Sequence, residues 1–479
     1  MISIGGSPHT LTFDRRYHSK SQAIISSSQK PGWNRAEKQG RTLKLLGLLI
    51  VLLLFNVGNL WAATITASSC SFSHVQAALN SAANGDTVLV PPGTCTWTSS
   101  MDFDLVIANG SNKYLTLQGA GIDLTIINDG VSKAAYPNVP HLIRWTTVKG
   151  GLTRITGFTF KGGTDTDCCN KGMLYFRGNS NQFRFDHNKV IPIKTSGMFL
   201  WGNIRGVIDH NTYDVSRSFG LYVFHDSWND SGAYGDMSWA SPSTLGTGEA
   251  IFVEDNVFKN DQSVSNQNYA NDGWSGGRVV YRYNTYYACT WANHGTETSG
   301  RPRSQRQYEV YKNTFIWDMK GGNFPGLIGA RGGVGVVYDN TASISNGSVN
   351  VFFDLTYYRS SNSYSPWGQC MSVWDQSSTR CLDQTGMGQG DLISGDNPTP
   401  IKWPNQTVDP TYVWNNKING STSNATSHVP TVVALNRDFF DQPRPGYVPY
   451  TYPHPLTTGS GSTGAANPPP SAPVNVTVH

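Results

Sequence analysis

The chain has 479 residues; 14% are charged, 12% are aromatic, and there are 50 glycines and 25 prolines. That mix starves long helices and coiled coils and suits many short strands joined by turns. The formal charge of +4 is uneven: ahead of Leu45 stand eight Lys and Arg against Asp14 and Glu37, a balance of +6, which leaves −2 for the rest and excludes a general nucleic-acid binder.

The apolar run Leu45–Phe55 (LLGLLIVLLLF) is short for a membrane span and leads into Asn-Val-Gly-Asn-Leu-Trp-Ala-Ala. A basic leader, a short apolar run and small residues predict a secretory signal over 1–63, cut near Ala62 or Ala63; an uncleaved N-terminal anchor is the other reading. A secreted or cell-surface protein is expected, with no membrane segment after cleavage. Seven cysteines fit an oxidising compartment. Cys70–Cys95 and Cys370–Cys381 are expected disulfides, and one of Cys168 or Cys169 is expected to reach Cys289. No CxxC pair offers a zinc site.

After the signal, Val75, Ala78, Leu79 and Ala82 are spaced for a short amphipathic helix. The turn Asn84-Gly85-Asp86, a buried strand Thr87–Val90 and the stop Pro91-Pro92-Gly93 follow. A helix leading into a strand suits the cap of a solenoid, whose first rung otherwise exposes its core.

The middle of the chain repeats one grammar: FRFDHNKV, GVIDHNTY, IFVEDNVF, VVYRYNTYY, YEVYKNTF and VVYDNTA. Their asparagines are Asn188, Asn211, Asn256, Asn284, Asn313 and Asn340. Three residues before each stands Phe185, Ile208, Val253, Tyr281, Val310 or Val337; two after stands Val190, Tyr213, Phe258, Tyr286, Phe315 or Ala342. All twelve positions are apolar or aromatic in a chain that is 38% hydrophobic, so the register is not accidental. Two short strands meeting at a tight bend, in a coil of roughly 22–29 residues, predict a parallel β-helix; a propeller needs blades of about 40. The asparagines are read as structural: they tolerate the left-handed conformation of the bend, and their amides can bond from coil to coil.

The segments QAALNSAANGDTVLVPPGTCTW, ITGFTFKGG, VIDHNTY and EVYKNTF resemble the pectate-lyase-like, right-handed parallel β-helix superfamily. The resemblance covers roughly Ser71 to Leu456. It implies an all-β fold, a right-handed parallel β-helix with a short N-terminal capping helix, and leaves activity open, because that scaffold carries lyases, hydrolases, epimerases, esterases and adhesins. The β-helix domain is expected over 64–456, with its coils from about Ser71 to about Thr356 and an irregular wrap to Leu456. Residues 457–479 read as a Gly/Ser/Pro linker, and VNVTVH resembles the first strand of a fibronectin-III-like module.

Counting back nine to eleven residues from four of the asparagines gives Arg177, Trp201, Arg303 and Arg331; with His225 at the end of the strand GLYVFH and Asp272 in the matching place of the next coil, they predict a column of side chains on one face. The rung between Asn284 and Asn313 is the most loaded, with His294, Glu297, Arg301, Arg303 and Arg306. Three arginines in a chain poor in charge are costly unless they meet anions. Pectate lyases carry R-x-P-x-x-R before a similar turn; here Arg301-Pro302-Arg303-Ser304-Gln305-Arg306 occupies the region with a different spacing. Arg301, Arg303, Arg306, His294 and His225 are therefore the catalytic candidates, and Arg177, Trp201, Asp272, Trp274 and Arg331 the substrate-binding ones. In the long loops Trp228, Tyr234 and Trp239 suit sugar rings, and Asp226, Asp230 and Asp236 are candidate oxygen ligands for Ca²⁺.

The expected function is a polysaccharide lyase that cleaves an acidic, uronate-containing polysaccharide by β-elimination. A monomer with a polysaccharide partner, and no nucleic acid, is expected. A non-catalytic glycan-binding or adhesive β-helix and a glycoside hydrolase are the alternatives; the hydrolase needs two carboxylates at a fixed separation, and the column offers one.

Overall fold

The computed structural model describes residues 62–458, apart from 134–139, 164–171, 193–196, 216–218, 233, 261–268, 297–302, 319–322, 356–380, 393–404 and 429. The expectations for the signal, Cys168, Cys169, Cys370, Glu297, Arg301 and the segment after 458 lie outside the described residues.

The fold is a parallel β-helix. Three lines of short strands run up the coils, and among the described residues all strand pairs but one are parallel. The line that precedes the bend includes Thr87–Val90, Thr116–Gly119, Thr153–Thr156, Ile251–Glu254, Arg278–Arg282, Gln307–Tyr311 and Val334–Tyr338. The line after the bend runs from Gly93–Trp97 through Lys189–Ile191 and Thr285–Tyr287 to Thr341–Ile344. The third line includes Ile143–Thr147, Leu221–Phe224, Tyr269–Gly273, Thr290–Asn293 and Asn323–Gly329. Leu174–Asp186 and Met198–Asp209 each serve the third line and then the first without a break. The helix Phe72–Ser81 caps the first coil with Val75, Ala78 and Leu79 turned to the core.

All twelve predicted apolar positions lie buried in one continuous core. Between them the asparagines form a ladder. The Asn284 amide oxygen accepts from the Asn256 backbone N–H at 3.0 Å and from Asn256 Nδ2 at 3.1 Å, and its own Nδ2 donates to Val253 O at 2.8 Å and Asn313 Oδ1 at 3.0 Å. The pattern repeats from Asn188 to Asn340. The left-handed residue of the bend is not the ladder asparagine. It is the residue before it: His187, His210, Asp255, Tyr283, Lys312 and Asp339 have φ between 53° and 59°. The asparagine is there for its amide, which bridges coils, rather than for its backbone.

One boundary differs from expectation. The coils do not end near Thr356: Thr411–Trp414, Lys417–Ile418 and Ala425–Ser427 add strands to all three lines. Asn416 is a seventh rung, taking the Asn340 N–H at 3.2 Å and Nδ2 at 2.8 Å. An interval of 76 residues hid it from a search for a short period. Beyond the coils, residues 447–456 strap the outer face of the first line. Tyr447, Tyr450 and Leu456 pack against a cluster of Val207, Phe252, Val280, Tyr311 and Tyr338. Leu456 O accepts from Arg184 Nη1 at 3.1 Å, and Glu254 Oε1 accepts from the His454 N–H at 2.8 Å.

Cys70 and Cys95 are joined, tying the capping helix to the second strand line. Cys381 is also disulfide-bonded. Cys289, however, is a free, buried thiol; it sits inside the core and donates to Phe258 O at 3.6 Å, so the expected link from Cys168 or Cys169 is not made.

Candidate functional site

The third strand line carries one row of outward side chains. Arg177 is in register with Trp201, Trp201 with Phe224, and Phe224 with Trp274. The pairings Gly273↔Asn293 and Ala292↔Gly329 then bring His294 and Arg331 into the same row on the next two coils. With about 4.8 Å between coils, the six residues span on the order of 25 Å. The rings touch in sequence: Trp201–Phe224 at 4.6 Å between centroids, Phe224–Trp274 at 5.3 Å, and Trp274–His294 at 5.3 Å. Two residues earlier on each strand lie Tyr175, Phe199, Tyr222 and Asp272, and Phe199 stacks on Tyr222 at 4.5 Å.

His294 is the member of the row that carries an imidazole. Its Nδ1 meets Asp272 Oδ1. Asp272 pairs with Ala292, so period 2 puts Asp272 and His294 diagonally opposite on one face. The carboxylate is buried and the imidazole is about a quarter exposed, at 23%. A carboxylate on Nδ1 holds the ring proton there and leaves Nε2 as the basic nitrogen. The back of the pair is braced: the His294 N–H donates to Gly273 O at 2.9 Å, and His294 O accepts from the Gln305 N–H at 3.3 Å. Trp274 is bridged to Ser304, and the Ser275 N–H donates to Arg303 O at 2.7 Å.

Arg303 and Arg306, by contrast, lie buried behind the row and support it. Arg303 is 1% exposed. It donates to both oxygens of Asp383 at 2.7 Å and to Asp236 Oδ1 at 3.1 Å. Burial pulls its pKa down, but the two carboxylates outweigh it and hold the guanidinium above its ordinary value. Arg306 is buried on the Trp239 ring, 5.0 Å from the centroid, and donates to Ser241 O at 3.1 Å. Burial lowers its pKa to about 10, which keeps it charged at neutral pH. Arg301 lies outside the described residues.

His225 is likewise corrected. The strand ends at Phe224, so His225 falls on the opposite side of the alternation and points inward. Its Nε2–H donates to Ile204 O at 2.8 Å, and Nδ1 accepts from the Arg278 N–H at 3.0 Å. Burial pushes its pKa down to about 3, so it is a neutral structural imidazole. Counting back ten residues from Asn313 reached Arg303, but that coil holds a long loop, and the strand position belongs to His294.

The three aspartates offered for Ca²⁺ do not act as a set. Asp236 is on Arg303. Asp230 accepts from Lys149 Nζ at 2.8 Å and Asn203 Nδ2 at 2.9 Å. Asp226 accepts from the Trp201 indole, and burial raises its carboxyl pKa. Protein cations already balance two of them, so they do not fit a calcium ion and no step is derived through one. Among the described residues, one group of three ligand-type side chains brings its donor atoms within 4.8 Å of one another: Asp186, His187 and Asp209. It lies on the first line, and Arg154 and Arg184 pair its carboxylates.

Phe224 and Asp383 were missed. Phe224 follows from reading GLYVFH one residue earlier. Asp383 had no local signal, since 80 residues separate it from Arg303.

No family model matches this sequence, and no curated protein does. Solved structures similar to the chain include an alginate lyase from Paenibacillus sp. str. FPU-7, at 15% identity and a TM-score of 0.32, covering 60% of this chain and 95% of that one. A polysaccharide lyase of the PL6 family from Pseudopedobacter saltans matches at 13% and 0.33, covering 86% and 97%. The ORF18 protein of Geobacillus virus E2 matches at 13% and 0.34, covering 67% and 64%. Two of these three are polysaccharide lyases. Identities and scores this low leave the assignment of function to the geometry of the site.

Proposed function

We propose that the chain is a polysaccharide lyase that cleaves a uronate-containing glycan by β-elimination, with His294 as the base. The observation that carries this reading is the Asp272–His294 pair, set in the groove row between Trp274 and Arg331. In the reaction, His294 Nε2 takes the proton from C5 of the uronate, a C4–C5 double bond forms and the C4–O4 bond breaks. The imidazolium then returns its proton to the departing O4. Asp272 stabilises the imidazolium in between. Arg331, one coil further along, holds the uronate carboxylate, so that charge building at C5 spreads into a neutralised group. Arg303 and Arg306 serve by keeping the bracing loop in place. A hydrolase reading asks for two carboxylates working together; Asp272 is committed to His294, and Asp226 to the Trp201 indole.

The test is the ultraviolet absorbance of unsaturated uronate ends, read beside reducing ends, on a panel of acidic polymers. His294→Ala should lose at least about 100-fold in kcat. Asp272→Asn should lower kcat with little change in KM and shift the pH profile. A wild-type protein that releases reducing ends without unsaturation is a hydrolase. Full activity in His294→Ala places the base elsewhere.

A further inference from the structure

The half of the groove on the N-terminal side of His294 does not suit an anion. Its described cations are Arg144, Lys149, Arg177 and Arg205, and each already has a carboxylate, Arg205 that of Glu249 at 2.9 Å. Arg177 Nη2 lies 2.6 Å from Asp104 Oδ2, Arg144 Nη1 3.3 Å from Asp102 Oδ2, and Lys149 Nζ 2.8 Å from Asp230 Oδ2. Asp226 is the fifth carboxylate there. Among the described residues it forms no ion pair, and its Oδ2 rests on the Trp201 indole. Among the described residues, four cations therefore face five carboxylates, and the one left over, Asp226, stands against Trp201 of the row. A uronate carboxylate bound here would meet like charge at close range, with every described cation already engaged.

The same stretch is well made for an uncharged ring. Tyr175, Trp201 and Trp274 are half-buried, resting on fully or nearly buried Phe199, Tyr222 and Phe224. The supporting rings fix the outer ones: Phe199 lies 5.6 Å from Phe224, and Tyr222 lies 5.9 Å from Phe224. His141 stacks on Tyr175 at 4.6 Å. A shelf already locked by packing loses little entropy when a sugar's C–H face settles on it. Asp226, Asp230 and Asn179 at its edge suit hydroxyl donors.

We infer that the shelf Tyr175–Trp201–Trp274 binds neutral sugar units, so that the substrate is a mixed glycan in which neutral sugars adjoin the uronate at His294. This rests on the lyase reading for the position of the uronate; the shelf itself does not. A homopolymer of uronates would have to place anions beside Asp226, and a mixed chain avoids that.

Two measurements on the full chain test it. In the first, intrinsic tryptophan fluorescence is titrated with cellotetraose and mannotetraose as neutral probes and with tetragalacturonate as the acidic one. A neutral probe should bind at least about tenfold more tightly than tetragalacturonate, a difference of about 1.4 kcal/mol. Trp201→Ala should abolish that binding. Asp226→Asn, which removes a charge without removing volume, should tighten tetragalacturonate several-fold, a gain that a merely structural Asp226 would not give. Equal or tighter wild-type binding of tetragalacturonate overturns the inference, as does an Asp226→Asn protein with unchanged preference. In the second, unsaturated product is compared between gellan or rhamnogalacturonan, where neutral sugars separate the uronates, and polygalacturonate or alginate. Equal kcat/KM on the homopolymers overturns the inference and leaves the lyase reading standing. No unsaturated product from any polymer removes the lyase reading, and the titration alone then decides the shelf.

Discussion

Asn284 sits mid-ladder, and its replacement by alanine has a cost that follows from its four side-chain bonds. The oxygen takes the Asn256 N–H and Nδ2; the amide nitrogen gives to Val253 O and Asn313 Oδ1. Not all four losses are equal. Asn256 Nδ2 keeps Ile208 O at 2.8 Å and Glu254 O at 2.9 Å, and Asn313 Oδ1 keeps the Asn284 N–H at 3.0 Å. The Asn256 backbone N–H is left buried with nothing. One orphaned donor costs about 1–3 kcal/mol, the bond to Val253 O about 1 kcal/mol, and the two bonds whose partners keep other contacts about 0.5 kcal/mol each, so Asn284→Ala should lose about 3–5 kcal/mol. Asn284→Asp should be worse at pH 7, where a carboxylate opposes the Asn313 oxygen, and should recover part of the loss at pH 4, where a protonated oxygen can donate to it. Urea unfolding gives the energies, and amide hydrogen exchange at Asn256 gives the local effect. A loss under about 1 kcal/mol for Asn284→Ala, with Asn256 exchange unchanged, would refute the reasoning.

Arg303→Met strands Asp383 in the interior and should cost about 3–5 kcal/mol, whereas the pair Arg303→Met with Asp383→Leu should recover much of it; thermal unfolding of both separates an ion-pair effect from a packing one. Glu309 accepts from the Gly246 N–H at 2.7 Å and from the Tyr447 hydroxyl, and burial raises its pKa to about 7 from 4.5. Because the folded value is the higher one, its contribution is complete below about pH 4.5 and disappears as pH rises through about 7. The 2.5-unit difference sets an upper bound of about 3 kcal/mol, which should vanish from the pH–stability curve of Glu309→Gln. Cys289 should resist thiol reagents in the folded protein and react at once in urea, since burial pushes its thiol far above the ordinary range; labelling by mass spectrometry without denaturant would contradict its placement.

The core was legible because one grammar repeats. Phe185, Ile208 and Val253 recur three residues before an asparagine, and a period of that kind admits few folds. The bend was read one residue off, because asparagine is both the usual left-handed residue and a good amide donor, and only coordinates separate the two uses. The outward row was legible for Arg177, Trp201 and Arg331, and at Asp272 the reading fell two residues short of Trp274. It slipped at His225, where one residue changes the face, and at Arg303, where a loop sits inside the counted interval. The buried clamp of Arg303 on Asp383 left no trace in sequence, because nothing local marks a partner 80 residues away. An arginine cluster in a chain poor in charge announced a cost, and at Arg303 the structure meets that cost with Asp383 and Asp236.

The strap over residues 447–456 changes how the molecule comes apart. A stack of coils ordinarily frays from its ends, each rung protected only by its neighbours. Here the last described stretch of chain turns back across the middle: Leu456 reaches Arg184, 272 residues earlier, and His454 reaches Glu254, 200 residues earlier. Arg282 is gripped at Tyr450 O and Thr451 O, at 2.7 and 2.8 Å. Peeling the final coils therefore drags on the central ones, and the body resists as a belted cylinder, not as a loose pile. The same belt delays completion. During synthesis Glu254, Arg282 and Glu309 wait uncovered until residues 447–456 arrive, so the middle coils reach their finished state only after a stretch 168 residues beyond Arg282 has been made.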